Sequence, residues 1–260
     1  MISLEERERT EKIRSALQAA QKVTPLVVPA ETIALYRSPS ETTVFPLEYA
    51  FHLLGDVRGK TILDYGCGDG VNTVALANRG AKVIAFDISP QLLSLAKKRL
   101  DANACNEVEL LLSSAHALPL EDNSIDIIFG NAILHHLDLE IASSEIRRVL
   151  KKNGKCVFKE PLRNSKLVVW VRQFFPVRAH VSPFERPLTD QEIDDFAMLC
   201  MRRARTFQLM LSRIASVLPF WSAQAVELCA YVDSYLLRRF PSLTYYGAIK
   251  VFELVKEDET

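Results

Sequence analysis

Residues 64–70 read DYGCGDG, with three glycines at alternate positions behind an acidic residue and after the apolar run Thr61-Ile62-Leu63. Glycine is needed where φ is positive or where backbone must touch a ligand. Gly66, Gly68 and Gly70 therefore mark a loop that meets its ligand with main chain. Cys67 lies between two of them, where a small side chain is wanted for space. A second carboxylate, Asp87, closes the next apolar run, KVIAFD (82–87), about 20 residues past the glycines, where it can accept hydrogen bonds from a ligand held on that loop. Three further groups could move a proton. His135 and His136 follow the run SIDIIFG (124–130), and an imidazole there can take a proton from a hydroxyl or amine nucleophile. Glu160, closing KCVFKE (155–160), faces the same mouth.

These residues need a scaffold, and the chain's pattern supplies one. From Lys60 to Glu160 the apolar runs KTILD, KVIAFD, EVELLL, SIDIIFG and KCVFKE alternate with amphipathic stretches. Ser89 is the expected N-cap of one helix, with Pro90 at its first position, and Gly154 the expected stop of another. Alternation of this kind predicts a doubly wound α/β fold with ligands at the carboxyl ends of the strands. We expect a mostly parallel seven-stranded sheet whose last strand, in GAIKVFELVK (247–256), runs antiparallel beside RTFQLML (205–211). The organisation reads as an N-terminal helical and lid segment (1–59), a cofactor-binding core (60–161), a helical cap (162–245) and a final strand and tail (246–260).

Composition narrows the function classes. Lys plus Arg and Asp plus Glu both number 32, so no net charge draws the whole molecule to nucleic acid. The charged N-terminus has no secretory pattern, and no apolar run reaches the roughly 20 residues of a membrane span. Five scattered cysteines without a C-x-x-C pair argue for a reducing, cytoplasmic setting and against zinc or disulfides. No metal ligand set is visible, so no metal is expected. The stretches KLVVWVRQFF (166–175) and LMLSRIASVLPFW (209–221) read as inner faces of cap helices, with a pocket for an apolar substrate or a homodimer face as other readings.

Two ligand classes use a glycine loop after a first strand. A dinucleotide takes G-x-G-x-x-G, and here Val71 stands at the place of the third glycine, which disfavours NAD. The stretch instead resembles motif I of the class I S-adenosylmethionine-dependent methyltransferases, an acidic residue followed by G-x-G-x-G. The resemblance runs on in order through KVIAFDISPQLLSLAKKR, SSAHALPLEDNSIDIIFGNAILHHL and EIRRVLKKNGKCVFKEP, roughly residues 60–161.

The resemblance implies a Rossmann-like fold and S-adenosylmethionine as cofactor. It implies that Asp87 holds the ribose and that Ile88 packs on the adenine. Ala115 would offer its amide to the ring, and Asn131 its backbone carbonyl near the methionine tail. Asp64 either meets that tail or supports the loop. Many relatives carry an aspartate at the position of Ser114, so adenine recognition would lean on His116 or on backbone. Tyr36 and Arg37 would close over the tail, and His180, Glu185 and Arg186 lie in a candidate lid.

The activity expected is methyl transfer to a small apolar or aromatic acceptor, with His135, His136 and Glu160 as candidate bases. The alternatives are a SAM-binding partner subunit without catalysis and an NAD-dependent oxidoreductase. Residues 20–50 and 161–245 are expected to fold over the carboxyl edge of the sheet as a cap.

Overall fold

The structure is a computed structural model that describes residues 3–21, 25–172, 186–196, 199–209, 211–212, 215 and 222–257. Seven strands form one sheet: β1 (Thr61–Tyr65), β2 (Lys82–Asp87), β3 (Glu109–Leu112), β4 (Ile125–Asn131), β5 (Leu150–Pro161), β6 (Cys200–Phe207) and β7 (Ile249–Val255). Their order is β3-β2-β1-β4-β5-β7-β6. Every pair is parallel except those of β7, which is antiparallel to both β5 and β6. Central parallel strands are covered on both faces and so read as continuous apolar runs, as Ile62, Leu63, Ile127, Ile128 and Phe129 do.

The helices described are α1 (Leu4–Gln21), α2 (Ala30–Arg37), α3 (Pro46–Leu54), α4 (Val71–Ala77), α5 (Pro90–Ala102), α6 (Leu139–Val149), α7 (Lys166–Arg172), α8 (Asp190–Asp194) and α9 (Ala223–Arg239). One face of the sheet buries Leu53, Leu54, Leu76 and Leu93 from α3, α4 and α5. The other buries Ile146, Val149 and Ile193 from α6 and α8. Ser89 caps α5, its hydroxyl accepting from the Leu92 N–H at 3.3 Å, with Pro90 at the first turn.

Two local expectations need correction. Gly154 does not stop a helix: α6 ends at Val149, and β5 begins at Leu150 and turns sharply at Asn153, where φ is 56°. A Cβ on Gly154 would stand 2.8 Å from the Lys151 carbonyl, so the glycine serves that tight turn inside the strand. The partner of β7 is β6 at 200–207, five residues ahead of the run expected at 205–211.

The cap is also arranged differently from expectation. The 20–50 segment contributes α2 and the start of α3 to one face of the sheet, whereas α1 lies over the carboxyl edge. Of the cap aromatics, Phe207 is buried in the sheet core, Trp170 and Tyr235 are exposed, and Phe174, Phe175, Phe184, Phe220 and Trp221 lie outside the described residues.

Candidate active site

The chain leaves β1 towards β2 on one side and, from β4 onward, builds the sheet on the other. This reversal opens a crevice beyond the carboxyl ends of β1 and β4, where doubly wound sheets bind ligands. A cavity of about 260 Å³ occupies that place. Its floor is Gly66, Cys67 and Gly68, its sides Asp87, Ile88, Ser114, Ala115, His116 and Asn131, and its roof α1.

Gly66 has φ 75°, and a Cβ there would meet Ile133 at 2.7 Å. Gly68 has φ 57° with open space where a side chain would stand, so its backbone can be approached closely. Gly70 does not line the cavity. It opens α4 at φ 81°, and a Cβ would lie 3.0 Å from that of Ala96, so it lets α4 and α5 pack closely. The Cys67 thiol lies buried at the cavity wall, and burial pushes its pKa well above the ordinary thiol range, leaving it protonated and inert.

The two strand-end carboxylates differ. Asp87 accepts from the N–H groups of Gly68 and Ser89, each at 2.9 Å, and lines the cavity. Burial raises its pKa, against those two bonds. A carboxylate so placed can still accept from ligand hydroxyls, because two oxygens offer about four lone-pair sites. Asp64 is withdrawn beneath the loop. It accepts from the Thr73 hydroxyl on α4 at 2.6 Å, and burial raises its pKa to about 7. It does not line the cavity, which favours support of the loop over contact with a ligand.

The three candidate bases are redistributed. Glu160 is fully buried and committed: one oxygen accepts from the N–H groups of Ile133 and Leu134, both at 2.8 Å, and the other contacts His135 Nδ1 at 2.7 Å. Burial alone would raise its pKa, but His135 and these hydrogen bonds hold it below the ordinary value. Neither Glu160 nor His135 lines the cavity. Together they hold the turn at Leu134–His136, a geometry that favours a positioning role over the expected role as bases. His136 is the one of the three that faces the cavity. Burial lowers its pKa, so its imidazole is neutral near pH 7 and can accept a proton, with Glu11 Oε2 3.5 Å from Nδ1.

Tyr36 lies apart from these groups. It stacks on Phe51 with ring centroids 4.5 Å apart, because α2 packs against α3, and it does not reach the cavity. Arg37 lines a separate groove with His52 and Arg58. The Asn131 side chain accepts from Lys159 Nζ at 3.0 Å, which leaves its backbone to the cavity. His180 and Glu185 lie outside the described residues, and Arg186 donates its backbone N–H to the His135 carbonyl at 3.3 Å. Tyr246 and Lys250 have the Tyr-x-x-x-Lys spacing of an oxidoreductase pair. Lys250 Nζ is bound to Asp190 at 2.7 Å and neither residue lines the cavity, so the spacing does not revive the dinucleotide reading.

Several site residues escaped the sequence reading. From α1 come Glu8, Glu11 and Arg14, all lining the cavity. Their charges look like any solvated helix face, so composition carried no signal for them. Asp69 and Arg99 form a buried ion pair at 2.8 Å that ties the glycine loop to α5. A signal for that pair was present: Arg99 sits at helical spacing on the apolar face of Leu92, Ala96 and Leu100. Ala132, at φ 60°, places strained backbone at the end of β4 beside the cavity.

Comparison with known proteins agrees with this geometry. Residues 63–158 match the family model described as a methyltransferase domain. The match covers 96 of the 260 residues and carries most of the cavity lining. The chain is similar to demethylmenaquinone methyltransferase of Lactococcus lactis, at 34% identity over 50% of this chain and 53% of that protein. It is also similar to magnesium-protoporphyrin O-methyltransferase of Rhodobacter capsulatus, at 32% over 51% of this chain and 59% of that one. The chain thus spans about half the length of these curated relatives.

Among solved structures, geranyl diphosphate C-methyltransferase of Streptomyces coelicolor superposes with a TM-score of 0.57 at 17% identity, covering 80% of this chain and 76% of that one. That likeness is one of fold. The residues of this methyltransferase domain fit S-adenosylmethionine: a buried carboxylate for vicinal hydroxyls, glycine backbone for the amino-acid tail, and Val71 where a pyrophosphate loop would need its third glycine.

Proposed function

We propose that the chain transfers a methyl group from S-adenosylmethionine to a small, apolar or aromatic organic acceptor. The observation that carries the reading is Asp87, a buried carboxylate at the end of β2, anchored on the glycine loop by the Gly68 N–H and open to the cavity. When bound, the cofactor supplies an activated methyl with a neutral thioether as its leaving group. The chain's task is then positioning, exclusion of water and, for a hydroxyl or amine acceptor, removal of one proton.

Residues 66–68 and Asn131 hold the tail end by backbone, and Asp87 orients the ribose. His136 stands at the methyl-side wall as a neutral imidazole able to take the acceptor's proton, and the Glu11 carboxylate beside it favours the imidazolium that results. The two relatives act, by their names, on demethylmenaquinone and magnesium-protoporphyrin, both of which carry large apolar ring systems. That supports a ring-bearing acceptor here.

The test is turnover. The full chain is incubated with labelled S-adenosylmethionine and a panel of quinols, phenols and porphyrins, and formation of S-adenosylhomocysteine is followed. Acceptor-dependent turnover is expected. Tight cofactor binding without turnover on any acceptor would favour a partner subunit that binds the cofactor without catalysis.

A further inference from the structure

Beside Asp87 the cavity continues to the end of β3, the next strand out, where Ser114, Ala115 and His116 line it. A ribose held on Asp87 directs its base to this corner. The corner contains a carboxylate that the central segment does not encode. Glu8, on α1, receives both the Ser114 hydroxyl and His116 Nδ1 on its Oε1, the latter at 3.1 Å. The Asp138 N–H donates to His116 Nε2 at 3.0 Å, so the ring's proton sits on Nδ1 and points at Glu8. The Ser114 hydroxyl in turn accepts from the His116 N–H at 3.0 Å, which fixes its own proton on the carboxylate. Among the described residues nothing donates to Glu8 Oε2, and the side chain keeps about a fifth of its surface exposed. Ala115 gives its carbonyl to the Tyr65 hydroxyl at 2.9 Å, so its N–H is what it has left for the cavity.

We propose that Glu8 reads the amino group of the cofactor's base, as an acceptor brought in by α1 from 106 residues away in sequence. The proposal rests on the S-adenosylmethionine reading above. A carboxylate oxygen and a backbone N–H side by side complement the edge of a 6-aminopurine, which offers an amino donor next to a ring-nitrogen acceptor. A 6-oxopurine reverses both and meets the same corner acceptor to acceptor and donor to donor. A site built to pair a substrate N–H rejects the analogue that lacks it, because its own buried polar groups are left unpaired. Ser114 alone, a neutral hydroxyl that can donate to an oxo group, would discriminate weakly. In this chain the charge comes from the roof that α1 forms.

The experiment is calorimetric binding of S-adenosylhomocysteine and S-inosylhomocysteine to the full chain, for the wild type, Glu8→Gln and Glu8→Ala. The wild type is expected to prefer the adenosyl compound by about a hundredfold or more, two steps of about 1.4 kcal/mol each. In Glu8→Gln, an isosteric change whose amide can donate as well as accept, that preference should fall at least about tenfold, partly through a gain for the inosyl compound. If Glu8 only latches α1, both ligands weaken together in both variants and the preference stays constant, which overturns the proposal while leaving the cofactor reading intact. A wild type that binds neither ligand overturns the cofactor reading itself, and the proposal with it.

Discussion

Asp64 and Asp87 end neighbouring strands, and the sequence marks both as acidic groups beside a glycine loop, but only their surroundings separate their tasks. Asp64 has its pKa raised to about 7 by burial, against the Thr73 hydroxyl bond and with some help from the Asp87 charge. Its folded value lies above the unfolded one near 4, so its contribution to stability is complete below about pH 4 and is lost as pH rises towards 7. Asp64→Asn removes that dependence. Denaturant unfolding at pH 4.5 and 7.5 should show the variant gaining on the wild type at the higher pH, and an equal difference at both would remove the assignment. The LHH turn divides in the same way. His136→Asn should cut turnover by roughly 10²–10⁴-fold while S-adenosylhomocysteine affinity stays put, the usual share of a general base. Glu160→Ala breaks a buried pair and should lower stability by about 3–5 kcal/mol in thermal or denaturant unfolding. A Glu160→Ala protein as stable as the wild type would contradict the positioning role. The motif made these residues visible, but which of two adjacent histidines turns inward depends on the Glu160 bonds to the Ile133 and Leu134 amides, which no spacing encodes.

At the scale of elements, the strands were legible because buried parallel strands leave uninterrupted apolar runs, and Ser89-Pro90 announced α5 by its capping chemistry. The end of α6 was not. Gly154 looks like a helix stop, yet the Leu150 side chain belongs to the sheet core, and tertiary burial overrides the local signal. The sequence shows a charged N-terminal helix but hides the place of α1 at the site. It packs along α5 and presents Glu8, Glu11 and Arg14 to the cavity, with Glu11 and Ser15 buried one turn apart. Charged side chains on a helix ordinarily face water, and their partners here, His116 and His136, lie more than a hundred residues away. Removing residues 1–21 should leave the sheet folded, since α1 adds nothing to the three apolar clusters. It should also weaken S-adenosylhomocysteine at least about tenfold, because the roof and its carboxylates go with it. Calorimetry with a circular dichroism control checks both parts, and a truncated protein that binds as tightly as the full chain would show that α1 is not part of the site.

For the whole molecule, the family model matches residues 63–158, and the flanks lie outside that match. Most of the cavity lining lies in that segment, with α1 added from outside it. We propose that acceptor choice lies with the flanks, whose sequence has no transferable pattern and includes the apolar stretches KLVVWVRQFF (166–175) and LMLSRIASVLPFW (209–221). Among the described residues no helix is long and apolar enough to cross a membrane. The proposed chemistry requires that the crevice between β1 and β4 bind S-adenosylmethionine through Asp87. Isothermal titration of the full chain with S-adenosylhomocysteine, with NADH, and again with Asp87→Ala tests it directly. Micromolar-range binding of the first ligand and none of the second is predicted. A loss of about ten- to hundredfold in the variant is also predicted, the effect of roughly 1.5–3 kcal/mol for hydrogen bonds to a charged group. Unchanged affinity in a folded Asp87→Ala protein, or binding of NADH in place of S-adenosylhomocysteine, would contradict it.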